Sequence, residues 1–264
     1  MRLGFVGCGN MAGAMIGGMI ENAVAERKDI IASVLSEASR ERAERELGIS
    51  VTRDNREVAR NCDVLFLAVK PQFYEEVMKE IAGELTGEQI IITIAPGKTL
   101  EWLASILGED KKIVRTMPNT PALVGEGITA ACCNENVTEE DIAVVTKLLE
   151  GFGKCEFVSE HLMDVVVSVS GSSPAYVFLF IEAMADGAVA DGMPRDQAYR
   201  FAAQAVLGSA RMVLDTGRHP GDLKDMVCSP GGTTIEAVRV LEEKGMRSAV
   251  IEAMKACVAK AKGL

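Results

Sequence analysis

Histidine is nearly absent from this sequence. The two present, His161 and His219, lie far apart and in no chemistry-bearing motif, which argues against imidazole-based proton relays and histidine-rich metal centres. Basic residues are in deficit, 28 Lys and Arg against 38 Asp and Glu, for a net charge of −10. A chain of that charge is not expected to bind nucleic acid or an anionic membrane surface. Any anionic ligand must be held by local devices, such as helix N-termini or a few placed arginines. The seven cysteines, at positions 8, 62, 132, 133, 155, 228 and 257, form no C-x-x-C pair. Scattered thiols in odd number fit a reducing cytoplasm, and no metal site is expected. Long uninterrupted apolar runs are also missing. The longest candidate, residues 165–181, is broken by Ser, Gly and Pro and runs on into Glu182 and Asp186. It is expected to be a buried core helix and not a membrane span. Met1 already starts the first strand, so no signal peptide is expected. What remains is a 48% hydrophobic chain of 264 residues, enough for one large domain or two of ordinary size.

The first half reads as a doubly wound α/β fold, with buried strands alternating with helical stretches. A short strand over residues 2–6 runs into Gly7-Cys8-Gly9-Asn10-Met11-Ala12, followed by a helical run from Ala14. This is the G-x-G-x-x-A form of the dinucleotide fingerprint in strand–turn–helix context. Gly7 permits the tight turn, Gly9 lets the backbone approach a pyrophosphate, and Ala12 lets the helix pack on the strand. A glycine-rich turn without a cofactor is the plainer alternative. A second strand over 30–35 ends in Ser36-Glu37-Ala38-Ser39-Arg40. Hydroxyls and a cation there suit a 2′-phosphate and favour NADP, whereas Glu37 speaks for a free 2′-OH unless it points away. The same residues would also cap the next helix, over 40–47, which Gly48 ends. Further strands are expected at 63–69, leading into Lys70-Pro71-Gln72, at 90–94, at 113–117, at 128–133 and at 155–158. Ligands in such sheets bind beyond the carboxyl ends of the strands, where five turns fall: residues 7–12, 36–40, 69–72, 95–97 and 118–121. Thr138-Glu139-Glu140-Asp141 reads as a capping box.

Strand signals stop near residue 160. Helices are expected over 160–168, 174–190, 195–215, 220–227, 233–243 and 247–262, so the chain divides into residues 1–159 and an all-helical part, 160–264. The helix over 174–190 is apolar on nearly every side, with Ala175, Tyr176, Val177, Phe178, Leu179, Phe180 and Ile181 in succession. Five or six helices are too few to surround it, so a second subunit is expected to complete its burial. Within this part, Ser229-Pro230-Gly231-Gly232-Thr233-Thr234 is a turn opening a helix. It is either an ordinary cap or a seat for a carboxylate or phosphate.

Four stretches carry a resemblance that covers nearly the whole chain. They are Val69-Lys70-Pro71-Gln72, Val114-Arg115-Thr116-Met117-Pro118-Asn119-Thr120-Pro121, Val169-Ser170-Gly171-Ser172-Ser173-Pro174-Ala175-Tyr176, and the turn from Ser229 to Thr234. With them the sequence resembles the pyrroline-5-carboxylate reductases. The resemblance implies an N-terminal Rossmann-type domain with a mostly parallel sheet, then an all-α dimerisation domain interlocked with a partner, often assembled further into a decamer. It implies hydride transfer from NADPH, or NADH, to C5 of the cyclic imine amino acid 1-pyrroline-5-carboxylate, giving L-proline. It assigns Gly7, Gly9, Asn10, Met11 and Ala12 to the pyrophosphate, and Ser36 and Arg40 to the adenosine ribose. Ala68, Val69, Lys70 and Pro71 approach the cofactor. Met117, Pro118 and Asn119 run beside the nicotinamide. Ser229, Gly232, Thr233 and Thr234 receive the substrate carboxylate, with Thr234 near the ring nitrogen to assist its protonation. Three positions depart from the family pattern. Ser173 stands where Gly is usual and reads as an N-cap, Val167 where Thr is common, and Pro96 where Ala is usual.

Reduction of an iminium needs little acid–base machinery, because the electrophile is activated by protonation. His219 therefore reads as a loop residue, Lys70 and Lys224 as loop residues outside any general-base motif, and Arg115 as a strand residue with an ion pair. Two rival readings stay open: another two-domain NADP-dependent imine or hydroxy-acid reductase, and a non-catalytic NADP-binding homologue.

Overall fold

The computed structural model describes residues 1–263. It divides into two compact units: residues 1–172 together with the C-terminal stretch from Cys257, and residues 173–256. The strands expected from the sequence are present, and a short edge strand joins them. In chain order the first unit contains β1 (Leu3–Val6), α1 (Asn10–Glu21), β2 (Ile30–Ser33), α2 (Glu37–Leu47), β3 (Ser50–Thr52), α3 (Asn55–Arg60), β4 (Val64–Leu67), α4 (Tyr74–Ile81), β5 (Ile90–Thr93), α5 (Leu100–Leu107), β6 (Lys112–Met117), β7 (Gly127–Cys133), α6 (Glu139–Leu149), β8 (Gly153–Phe157) and α7 (Met163–Val166). The sheet order is β3-β2-β1-β4-β5-β6-β7-β8. All pairs are parallel except β6–β7. Strand order reverses on either side of β1, which makes the crevice beyond β1, β2 and β4 the expected ligand position.

The central strands are apolar throughout because helices cover both faces. Alternate residues feed two separate cores. Phe5, Phe66, Ile90, Ile92 and Val114 face α1 and α6, with Phe5 and Phe66 stacked at 4.5 Å between ring centroids. Leu65, Leu67, Ile91 and Ile113 face α3, α4 and α5. The capping box is formed: Asp141 N–H donates to Thr138 Oγ1 at 3.2 Å, and Thr138 N–H donates back to Asp141 Oδ2 at 2.9 Å. Gly48 ends α2 in the left-handed conformation, φ +67°.

The sequence break at 159/160 marks where strands end, whereas the compact units divide after Ser172. Residues 160–172 form a helical run anchored on β6. Arg115 is buried and pairs with Glu160 at 3.0 Å and Asp164 at 3.8 Å, the ion pair expected of it. The run passes through a π-helical turn, Val167–Gly171, before α8 (Ser173–Ala190). Ser173 is thus the first residue inside α8 and not its cap, because the preceding residues are already helical. The second unit continues with α9 (Arg195–Thr216), α10 (Pro220–Val227), α11 (Thr233–Glu243) and most of α12 (Met246–Ala261). Lys224, read as a loop residue, lies on α10 beside Asp225. Residues Glu160–Ala190 are long and apolar enough by length and composition to cross a membrane. Within the chain α8 is not a buried helix: Ala185 alone is buried, while Phe178 and Leu179 are 60% and 67% exposed.

Candidate functional site

The glycine-rich turn is shaped by its neighbours. Gly7 has φ +94°, and a Cβ there would sit 2.9 Å from the backbone of Ala68 and Val69. Only glycine fits that conformation and that gap, so the ends of β1 and β4 lie against each other. Gly7 N–H donates to Ser33 Oγ on β2 at 3.3 Å, and Ser33 donates to Asn55 Oδ1 at 2.7 Å. Gly9 is the N-cap of α1, with no side-chain cap and no acidic residue in the first turn. A Cβ at Gly9 would meet open space. The first N–H groups of α1 are therefore unclaimed, and the turn fits a pyrophosphate. Asn10 and Met11 begin α1, and buried Ala12 packs on the sheet. Burial pushes the Cys8 thiol up from its ordinary value, with Arg42 opposing and Glu46 reinforcing the shift, so it stays protonated at neutral pH. A cavity of about 520 Å³ is lined by Cys8, Gly9 and Asn10 at this turn and by Arg42 and Glu46 of α2.

Beyond β2, Ser36 caps α2 by accepting from Ser39 N–H at 3.3 Å, so the capping reading of this segment holds in the structure. Glu37 does not stand free: Arg40 bonds it through Nε at 2.8 Å and reaches Glu44 through Nη1 at 2.8 Å. The Arg40 hydrogen bond holds the Glu37 carboxyl below its usual range. The carboxylate that argued for a free 2′-OH is thus turned onto the guanidinium. Glu37 is exposed and Arg40 half-buried, so solvent screens the pair and it is weak and exchangeable.

Ala68, Val69, Lys70 and Pro71 lead from β4 into a 3₁₀ turn with Pro71 at its start. Tyr74, missed in the sequence, fixes this segment. Its fully buried hydroxyl donates to Leu67 O and accepts from Ile94 N–H at 3.1 Å, and burial raises its pKa. At the end of β6, Met117 packs with Ala130 and Met163, and Pro118 leads to Asn119. The Asn119 side chain is engaged at both ends: Nδ2 donates to Ser170 O at 3.1 Å and Oδ1 accepts from Ile128 N–H at 2.9 Å. Ser33 had one signal in the sequence, a polar atom at the end of an apolar strand, and Tyr74 had none.

In the second unit, Ser229, Pro230, Gly231 and Gly232 form a closed turn, with Gly231 at φ +65° and Gly232 N–H donating to Ser229 O at 3.0 Å. Gly232 is the N-cap of α11 and has no side-chain cap. Among helices that start from a loop, α2, α3, α5, α6 and α10 carry side-chain caps, whereas α1, α9 and α11 do not. The first-turn carboxylate of α11, Glu236, is drawn off by Arg239 at 2.7 Å. Ser229 and Thr233 are exposed and Thr234 is half-buried. His219 is a cap, its Nδ1 accepting from Gly221 N–H at 3.0 Å.

Comparisons with known proteins find relatives along the whole chain. Residues 160–264 match a family model described as pyrroline-5-carboxylate reductase dimerisation, and residues 2–97 match one described as NADP oxidoreductase coenzyme F420-dependent. The chain is 53% identical to the pyrroline-5-carboxylate reductase of Escherichia coli (strain K12), over 100% of its own length and 98% of the relative's. A solved pyrroline-5-carboxylate reductase from Coxiella burnetii aligns with a TM-score of 0.93 at 35% identity, covering 99% of this chain and 97% of that one. A Plasmodium falciparum pyrroline carboxylate reductase solved with NADP bound aligns with a TM-score of 0.90 at 32% identity, covering 100% and 97%.

Proposed function

The chain belongs to the pyrroline-5-carboxylate reductase family, and from that premise we propose how its own residues divide the work. The reaction is the reduction of 1-pyrroline-5-carboxylate to L-proline. The bare start of α1 at Gly9 is the seat for the pyrophosphate, and Ser36 and Arg40 take the adenosine ribose and its 2′-phosphate, so that NADPH is preferred and NADH is the second donor. For Arg40 this means exchanging one carboxylate partner for a phosphate, which a guanidinium fork favours. Ala68, Val69, Lys70 and Pro71, with Met117, Pro118 and Asn119, wall the nicotinamide end. When bound, the cofactor supplies the hydride that adds to C5 of the imine.

The observation that carries the substrate assignment is the uncapped start of α11. Ser229 and Thr233 offer hydroxyl donors, the turn that Gly232 closes exposes the first N–H groups of α11 to a carboxylate, and the helix end favours its charge. Half-buried Thr234 hydrogen-bonds at the ring nitrogen, which carries one proton as the C=N bond becomes C–N. The protein holds and orients, and no histidine is needed. The rival reading as a hydroxy-acid reductase gains nothing from Lys224, which lies on α10 and pairs with Asp225.

The bare α8 supports assembly with a second copy through the helical unit, a homodimer. The apolar faces of α11 and α12, with Leu241, Val250 and Ile251 exposed, offer further surface for a decamer. Ser168, Ser170, Glu182 and Asp186 interrupt the apolar run, which favours a protein partner over lipid. Seven free thiols fit a reducing cytoplasm. The test is loss of NADPH absorbance on adding the imine, with proline as product and no turnover of hydroxy acids or keto acids. NADPH consumption with a keto acid and none with the imine would overturn the reading.

A further inference from the structure

One side of β6 is read by the helical run that follows β8. Arg115, Met117 and Asn119 alternate along the chain and so project together. Arg115 pairs with Glu160 and Asp164. The methyl of Met117 fills the space left by the missing side chain of Gly171, where a Cβ would lie 2.8 Å from Met117 Cε. Asn119, 7% exposed, spans from Ile128 N–H to Ser170 O. Ser170 and Gly171 belong to the π-helical turn, closed by Ser172 N–H donating to Val167 O at 2.7 Å. A π turn is less stable than the α-helix it interrupts and recurs at functional sites.

We propose that Asn119 and Gly171 are positioning residues for hydride transfer: they hold Met117-Pro118-Asn119 against the π-helical turn and thereby set where the nicotinamide rests. This rests on the reading that Met117-Pro118-Asn119 walls the nicotinamide end. Both ends of the Asn119 amide are engaged by backbone groups, so it acts through the segment it holds. Displacing a reacting group by about 1 Å costs up to about a hundredfold in rate, so a strut of this kind is felt in kcat before it is felt in binding.

Asn119→Asp keeps the shape and the acceptor for Ile128 N–H but removes the donor to Ser170 O. The nearby charges of Arg115, Glu160 and Asp164 already pair with one another. Above the carboxyl's pKa, kcat for imine reduction should fall about 10- to 100-fold, while the NADPH Kd from fluorescence quenching moves less than about threefold. Burial raises that pKa and the bond from Ile128 N–H lowers it. As pH falls through it, the protonated acid donates again and the variant-to-parent kcat ratio climbs. Taking the ratio removes the titration of the imine itself. An unchanged kcat overturns the proposal. A rise in NADPH Kd matching the loss of kcat/KM also overturns it, because Asn119 is then a direct cofactor ligand. If Asn119→Asp does not fold, Gly171→Ala carries the test: its Cβ meets the flexible end of Met117, and the same split between kcat and Kd is expected, an unchanged kcat overturning the proposal. Failure of the underlying family reading looks different, since the parent protein itself would not oxidise NADPH with the imine.

Discussion

Phe5 and Phe66 stack in the first unit with no exposed surface, while Phe178 and Leu179 of the second are more than half exposed. The contrast runs through both units. The first buries Leu3, Met15, Leu65, Tyr74, Phe152 and many others completely. Between residues 173 and 256 only Ala185, Ala198 and Ala202 are buried. Each large apolar side chain removed from water contributes about 1.5–3 kcal/mol, and the second unit collects almost none of this from its own chain. One unit is a finished α/β domain. The other leaves its large apolar side chains exposed, consistent with the dimerisation family model that it matches.

The largest effect should come from charging that exposed surface. Phe178→Asp combined with Leu179→Asp places charge where a second copy is expected to pack. Dimer should be lost in sedimentation velocity and activity should fall more than about a hundredfold. The first unit answers to a different change. Phe66→Ala should cost about 3–5 kcal/mol, read as a lower urea midpoint with the oligomeric state of the remaining folded protein unchanged.

Function divides along the same line. Thr234→Val, in the second unit, should lower kcat/KM for the imine about 10- to 100-fold with NADPH affinity nearly unchanged, and an unchanged kcat/KM would remove Thr234 from the mechanism. Arg40→Ala, in the first, should weaken NADPH about tenfold, ~1.4 kcal/mol, and spare NADH in the same titration. Equal losses for both cofactors would sink the 2′-phosphate assignment. The smallest effect tests the capping box. Thr138→Ala should lower stability by about 1 kcal/mol, seen in thermal unfolding, with kcat intact.

The first unit was legible in the sequence because parallel strands buried on both faces write continuous apolar runs, and Gly7, Pro71 and Gly48 punctuate them. The exception was β3, three partly exposed edge residues with no run to see. The lack of cover for α8 within the chain was also legible, since a helix apolar on every side cannot be covered by so few neighbours. What stayed hidden depends on contacts distant in sequence. Arg115 and Asn119 tie residues 160–170 to β6, so the compact units divide later than the strand signals do. Ser33 and Tyr74 hold the turns after β1 and β4 through two hydrogen bonds each, which leave no periodicity. The role proposed for Ser229 to Thr234 needed the family resemblance, because a glycine-opened helix reads as a plain cap until its missing side-chain cap is seen.

The comparison of the two units is tested most directly by sedimentation equilibrium of the intact chain across a wide concentration range, read with far-ultraviolet circular dichroism on the same samples. The account predicts dimer or a multiple of it wherever the full helical signal is present, and loss of that signal wherever monomer appears. A monomer retaining the full helical signal would contradict it.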